Sequence, residues 1–228
     1  MGSTGRDSEE KRSIGVIFDF DGTLADSEPV HEAAIRAIVE PMGWWADEPA
    51  LFARYIGTSD RYCFRDLGER AGETVDDARL DGLVEAKRLM YLEYLEAGKV
   101  RAFDGAMDLV RAAAAGGPIA VCSGSRTPTI EPTLVKFGVR DLLSALVGAD
   151  QVSNAKPHPE SYLLTCERLG LAPSRCVAIE DTDHGINAAK GAGIRTIAVA
   201  HTCGPDRLSG ADEVFENIGQ ITVEALRG

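Results

Sequence analysis

Asp19 and Asp21 stand one residue apart at the end of the apolar run IGVIF and are followed at once by Gly22-Thr23. On an extended chain, side chains two apart point the same way, so the carboxylates crowd together while Phe18 and Phe20 can enter a core. Two such charges repel unless a cation or a shared proton intervenes. A hard divalent ion such as Mg²⁺, which takes oxygen ligands, resolves the crowding. A second acidic pair, Glu180-Asp181, ends the run CVAIED in the same way. If the two runs are neighbouring strands, both pairs converge on one cation. A cation beside a carboxylate nucleophile suits phosphoryl transfer. Asp19 can accept the phosphoryl group as an acyl phosphate, and Asp21 can protonate the leaving oxygen and later take a proton from the attacking water.

Phosphate also needs donors. Ser123 ends another apolar run, and its hydroxyl, with the backbone N–H groups of Gly124 and Ser125, can hold phosphate oxygens. Lys156, placed before Pro157 in NAKPHP, offers a point positive charge from an extended loop. Four strand ends thus each supply one part of a phosphoryl-transfer site.

The elements that must position these groups are legible as short apolar runs at 14–18, 118–123, 145–150, 176–181 and 194–200. Such runs fit fully buried parallel strands. Helical patterns lie between them: Met107, Val110 and Ala114 share a face before Gly116-Gly117-Pro118, Tyr162, Cys166 and Leu169 do so before Gly170, and HGINAAKGAG closes at Gly193. Alternating strands and helices predict an α/β, Rossmann-like three-layer core with a parallel sheet, whose ligands bind at the carboxyl ends of the strands. One interval breaks the alternation. HEAAIRAIVEPMG and LDGLVEAKRLMYLEYLEAG are amphipathic helical patterns in a stretch with no buried strand, which predicts an inserted helical cap domain over residues 27–101. Residues 14–26 and 102–228 then form the core domain, and residues 1–13, polar and aperiodic, read as a disordered leader.

Composition narrows the functional classes. Thirty-six acidic against 24 basic side chains give a net charge of −12, which argues against a nucleic-acid partner or an anionic membrane surface. No apolar stretch is long enough to span a bilayer and residues 1–13 lack the apolar core of a signal peptide, so a cytoplasmic location is expected. Cys63, Cys122, Cys166, Cys176 and Cys203 are odd in number and without CxxC spacing, which suits reduced, buried thiols.

DFDGT (19–23), Ser123, Lys156-Pro157 and IEDTDHGINAAKGAG (179–193), in that order, resemble the four motifs of the haloacid dehalogenase superfamily. The likeness covers the chain from about residue 14 to residue 200. The helical insertion directly after the first motif is similar to that of the β-phosphoglucomutase-like phosphatase subgroup, with its four-helix C1 cap. The resemblance implies Asp19 as nucleophile, Asp21 as general acid and base, and Ser123 and Lys156 as phosphoryl-binding groups. It implies Mg²⁺ held by Asp19, the backbone carbonyl of Asp21, and the acidic side chains at Glu180 and Asp181. The dehalogenases that named the superfamily lack the second aspartate, so Asp21 points to phosphate chemistry.

Within the cap, His31 matches a position where β-phosphoglucomutases carry a histidine that helps control the cap. YIGTSDRYCFRDL is similar to the loop that reads substrate, with Gly57 making the turn. The arginine expected three residues after that glycine is replaced by Asp60, with Arg61 one place later, which departs from the mutase pattern. Arg61, Arg65 and Arg126 are candidate substrate anchors. Lys87 and Tyr91, four apart, either share a face towards the site or are a solvated lysine and a packing tyrosine. Trp44 and Trp45 are expected in the cap core, and His158, His184 and His201 to be structural or solvated. The expected activity is a Mg²⁺-dependent phosphatase of a small phosphorylated metabolite such as a sugar phosphate, acting as monomer or homodimer. The alternatives are a sugar phosphomutase and a catalytically silent binding module on the same fold.

Overall fold

The structure, a computed structural model, describes residues 14–46, 48 and 51–228; the leader expected at 1–13 lies outside the described residues. Six parallel strands form the main sheet: β1 (Gly15–Phe18), β4 (Ile119–Cys122), β5 (Ala145–Val147), β6 (Cys176–Glu180), β7 (Arg195–Val199) and β8 (Glu213–Phe215), in spatial order β5-β4-β1-β6-β7-β8. A separate antiparallel ribbon pairs β2 (Ala25–Asp26) with β3 (Arg101–Ala102) where the chain leaves and re-enters the sheet domain. β1 is central because it is apolar on both faces. Val16 and Phe18 pack into one cluster with Ile119, Val121, Val177 and Ile179, while Ile17 faces the other side with Cys122, Ala178, Tyr162 and Cys166. Each fully buried side chain of this size contributes about 1.5–3 kcal/mol relative to leaving it in water.

Helices cover both faces, which completes the three layers. α4 (Ala106–Gly116) and α5 (Thr127–Lys136) lie on the side of the larger cluster. α6 (Glu160–Leu169) and α7 (Asp183–Gly191) lie on the other. A short α8 (Val223–Arg227) follows the last strand.

Between β2 and β3 come α1 (Glu28–Val39), α2 (Asp60–Arg70) and α3 (Asp77–Glu96), with two short 3-10 turns. Ser59 and Asp76 cap α2 and α3 by accepting N–H bonds from Tyr62 and Arg79, at 3.2 and 2.8 Å. These helices close on their own apolar cluster, Ile35, Val39, Trp44, Phe64, Leu67 and Leu80 among them, with Trp45 half-buried at its margin. Both tryptophans therefore pack as expected. Trp44 also donates its indole N–H to Glu73 at 2.8 Å. No helix among the described residues is long and apolar enough to cross a membrane. All five cysteines are free and buried.

Candidate active site

Register places the acidic pairs together. β1 lies between β4 and β6, with Phe18 opposite both Val121 and Ile179, so Asp19, Ser123 and Glu180 leave adjacent strand ends on the same edge of the sheet. Backbone bonds fix the exits: Asp19 N–H donates to the Ile179 carbonyl and Ser123 N–H to the Val147 carbonyl, each at 2.9 Å. The chain then turns at once, because Gly22 adopts φ +77° and its N–H returns to the Ala25 carbonyl. A side chain at Gly22 would meet Asp181: an added Cβ lies 2.0 Å from Asp181 Oδ2. Gly22 is the residue that lets the first acidic loop approach the second.

The buried carboxylates of Asp19, Glu180 and Asp181 can each bring an oxygen within 4.8 Å of the others. Lys156 reaches into this group from the loop after β5, its peptide bond to Pro157 cis. Its ammonium donates to Asp19 Oδ1 at 2.7 Å, Glu180 Oε1 at 2.6 Å and the Cys122 carbonyl at 3.0 Å, which uses all three of its hydrogens. Burial opposes the charge on Lys156, but Asp19 and Glu180 outweigh it and hold the ammonium protonated well beyond its ordinary range. Burial, then Glu180, pushes Asp19 well above the usual carboxylate range despite Lys156, and the same two causes raise Asp181. One ammonium does not neutralise three buried acids.

Oxygen donors for a further cation are present. Glu180 is engaged by Lys156 and by the Tyr162 hydroxyl at 2.6 Å. Asp181 accepts a long bond from Thr23 through Oδ1, 3.3 Å, and the nearby Thr202 hydroxyl eases its charge, but its buried Oδ2 has no partner in hydrogen-bond geometry among the described residues. An orphaned carboxylate oxygen beside two further acids is a donor set that fits a hard divalent cation. Neither Glu180 nor Asp181 caps the following helix; Thr182 does, accepting from Gly185 N–H at 3.2 Å.

Asp21 faces a different environment. Its Oδ1 is 2.8 Å from His31 Nε2 and accepts the Ser27 hydroxyl at 2.6 Å; its Oδ2 accepts the Ser125 hydroxyl at 2.6 Å and that of Ser123 at 3.4 Å. Burial works to raise its pKa, but His31 and the two close serine hydroxyls win, and Asp21 sits well below the usual carboxylate range. The two aspartates thus differ sharply: Asp19 is bound to a lysine in a crowd of acids, and Asp21 is a stabilised carboxylate.

The cavity over Asp19 and Asp21 is lined from the α1–α3 segment by Glu28, His31, Gly57, Ser59, Asp60 and Lys87, and from the strand-end loops by Gly124, Ser125 and Asp181. Gly57 makes its turn at φ +77°. Lys87 is not solvated: it is 2% exposed and pairs with Asp60 at 2.8 Å. Tyr91 is also buried, stacked on the His31 ring at 5.0 Å and hydrogen-bonded to Thr133. Burial, with Asp21 next in effect, raises Glu28 to about 8.

Arg61 is not brought to this cavity. Its guanidinium binds Asp77 at 2.6 Å and Asp81, and Arg65 lies 3.5 Å from Asp77. Arg126 borders a neighbouring cavity between α2, α3 and the loops after β4 and β5, which Arg61 also lines. His158 pairs weakly with Glu160 at the surface, and His201 is structural, bridging the Gly22 carbonyl and the Ile218 N–H while stacking on Phe103. Sequence pattern does not mark the side chains of Ser27, Glu28, Ser125 and Tyr162 as part of the site. Only Ser125, two residues after Ser123, carried a local signal, as a backbone donor.

The family model for haloacid dehalogenase-like hydrolases matches residues 16–199. The chain is 33% identical to the fructose-1-phosphate phosphatase YqaB of Escherichia coli, over 83% of this chain and 97% of that protein. It is 32% identical to hexitol phosphatase A of the same organism, over 93% and 94%. The crystal structure of CbbY from Rhodobacter sphaeroides in complex with phosphate superposes with a TM-score of 0.85, at 26% identity, covering 94% of this chain and 99% of that one. With the motif match and the strand-end acids now placed on one sheet edge, the chain belongs to the haloacid dehalogenase-like hydrolase family.

Proposed function

We propose that this chain is a phosphoric monoester hydrolase that removes phosphate from a small phosphorylated metabolite, a sugar phosphate or similar monoester, through an aspartyl phosphate on Asp19, with Mg²⁺ as cofactor. The observation that carries the reading is the contrast between the two aspartates: a lysine-bound nucleophile and, two residues on, a carboxylate held by His31, Ser27 and Ser125. The phosphatase relatives support it.

In the first half-reaction an Asp19 carboxylate oxygen attacks phosphorus as the bond to the leaving oxygen breaks, and that oxygen takes a proton at Asp21. Asp21 rests as a carboxylate, so the proton must reach it as substrate binds; His31, at 2.8 Å, is the neighbouring group able to carry one. Once Asp19 is phosphorylated, Lys156 loses a charged partner, and its freed N–H turns to the phosphoryl oxygens with the Ser123 hydroxyl and the N–H of Gly124. In the second half-reaction Asp21 takes a proton from water as it attacks phosphorus, releasing inorganic phosphate and regenerating Asp19. Asp19, the Asp21 carbonyl and Asp181, backed by Glu180, would hold Mg²⁺, which when bound offsets the negative charge of the phosphate and the acids around it. Residues 27–101 act as a cap that selects the leaving group and excludes water, over a core of 14–26 and 102–228.

Inorganic phosphate release from a panel of sugar phosphates, with Mg²⁺ and with EDTA and with Asp19→Asn as the blank, tests this. Metal-dependent release above the blank is expected. Isomerised sugar phosphate without phosphate release would favour the phosphomutase, and a folded protein that neither turns over nor binds a phosphate-mimicking metal fluoride would favour the silent module.

A further inference from the structure

We infer that Asp60 sets the charge class of the leaving group: paired with the buried Lys87 in the cap wall of the Asp19 cavity, it removes the free cation that a second anionic group would need. The site therefore takes hydroxyl-bearing monophosphates and rejects bisphosphates. This inference rests on the phosphatase reading above.

Lys87 is 2% exposed, and its ammonium lies 2.8 Å from Asp60 Oδ1. Both line the cavity that holds Asp19 and Asp21. A buried ammonium with no partner would draw any second phosphate towards it; paired, it presents a neutral dipole. The neighbouring groups on this wall are hydroxyls and a carboxyl, Thr58, Ser59 and Glu28, which suit the hydroxyls of a polyol, and His31, which is already bound to Asp21. The arginines of α2 stay out of the Asp19 cavity: Arg61, bound to Asp77 and Asp81, lines the neighbouring one, and Arg65 lies near Asp77. Arg126 makes no ion pair among the described residues and lines the neighbouring cavity, of about 390 Å³. Asp60 lines both cavities together with Ser59 and Gly124, so a second phosphate reaching from Asp19 towards Arg126 meets a neutralised pair there and no free cation.

The test compares kcat/KM for a ketohexose 1-phosphate and for the same sugar with a second phosphate at its far end, using the full chain with Mg²⁺ and an aryl phosphate as control. The wild type should prefer the monophosphate. Asp60→Asn should move the bisphosphate-to-monophosphate ratio towards the bisphosphate by about tenfold or more, and Asp60→Asn combined with Lys87→Met, which makes the wall neutral again, should return it towards the wild-type value. If Asp60→Asn does not fold, Lys87→Met alone decides: it leaves Asp60 unneutralised and should push the ratio further towards the monophosphate. A wild type that prefers the bisphosphate, single variants with an unmoved ratio, or a double variant as shifted as Asp60→Asn would overturn the inference. Loss of turnover on all three substrates in the wild type would instead overturn the phosphatase reading, because the aryl phosphate makes no demand on Asp60.

Discussion

Replacing Lys156 by methionine keeps most of the length of the side chain and removes its charge, which isolates what the ammonium does for the buried acids. Lys156 donates to Asp19 and Glu180 at 2.7 and 2.6 Å, and both carboxylates are buried. Removing one partner of such a group leaves uncompensated charge and costs about 3–5 kcal/mol. For a chain of this size each kcal/mol lowers Tm by about 2–4 °C, so the expected fall is about 6–20 °C. The assay is thermal or urea unfolding at neutral pH in EDTA. Adding Glu180→Gln to the variant should recover part of the loss, because one of the stranded charges goes with it. The gap between wild type and Lys156→Met should also narrow as pH falls. Burial and Glu180 raise the folded-state pKa of Asp19, so Asp19 takes up a proton in the folded protein while its unfolded counterpart is still ionised, and the uncompensated charge disappears. A loss below about 1 kcal/mol, in the range of exposed ion pairs, would refute the reasoning, as would a gap that widens in acid.

Three further expectations follow from the same geometry. Gly22→Ala places a Cβ 2.0 Å from Asp181 Oδ2 and 2.3 Å from Thr202 Oγ1 on a backbone at φ +77°. It should lower both thermal stability and metal-dependent phosphate release, and a fully active, equally stable Gly22→Ala would count against the close approach of the two acidic loops. Mg²⁺ at about 100 times its dissociation constant should stabilise the wild type by about 2.7 kcal/mol. Asp181→Asn should lose that gain while being more stable than the wild type in EDTA, both read by thermal unfolding. Glu28, raised from 4.5 to about 8 by burial and then by Asp21, with Asp60 also raising and Lys87 opposing, favours the folded state most when protonated. The fold should therefore lose stability as pH rises from about 4.5 through about 8. Glu28→Gln should flatten the Tm profile in that window, and superimposable profiles would show that Glu28 carries no such penalty.

The central sheet was legible because its inner strands are apolar on both faces, as Ile14 to Phe18 illustrates. β8 was not, since Glu213 and Val214 are exposed at the edge and form no apolar run. The β2–β3 ribbon has two residues in each strand, too few for a pattern. α1 begins at Glu28, ahead of the HEAAIR pattern, because Pro29 in the first turn costs no hydrogen bond there. Asp19, Ser123, Glu180 and Asp181 were legible because they stand at strand ends, and Lys156 because it directly precedes Pro157 in a loop beyond β5. Ser27, Glu28 and Tyr162 were not, because their roles come from packing: Tyr162 was read as a helix core position, and only the fold brings its hydroxyl to Glu180. For Lys87 the sequence allowed a solvated or a site-facing position, and its burial depends on Asp60 arriving from another helix.

The most direct test of the account is to mix enzyme, Mg²⁺ and a turned-over sugar phosphate, quench in acid within one turnover, and map the phosphoryl adduct by mass spectrometry. One added phosphoryl group is expected on the peptide containing Asp19, labile to hydroxylamine and missing from Asp19→Asn. Rapid phosphate release with no adduct at any quench time, or an adduct on another residue, would contradict it.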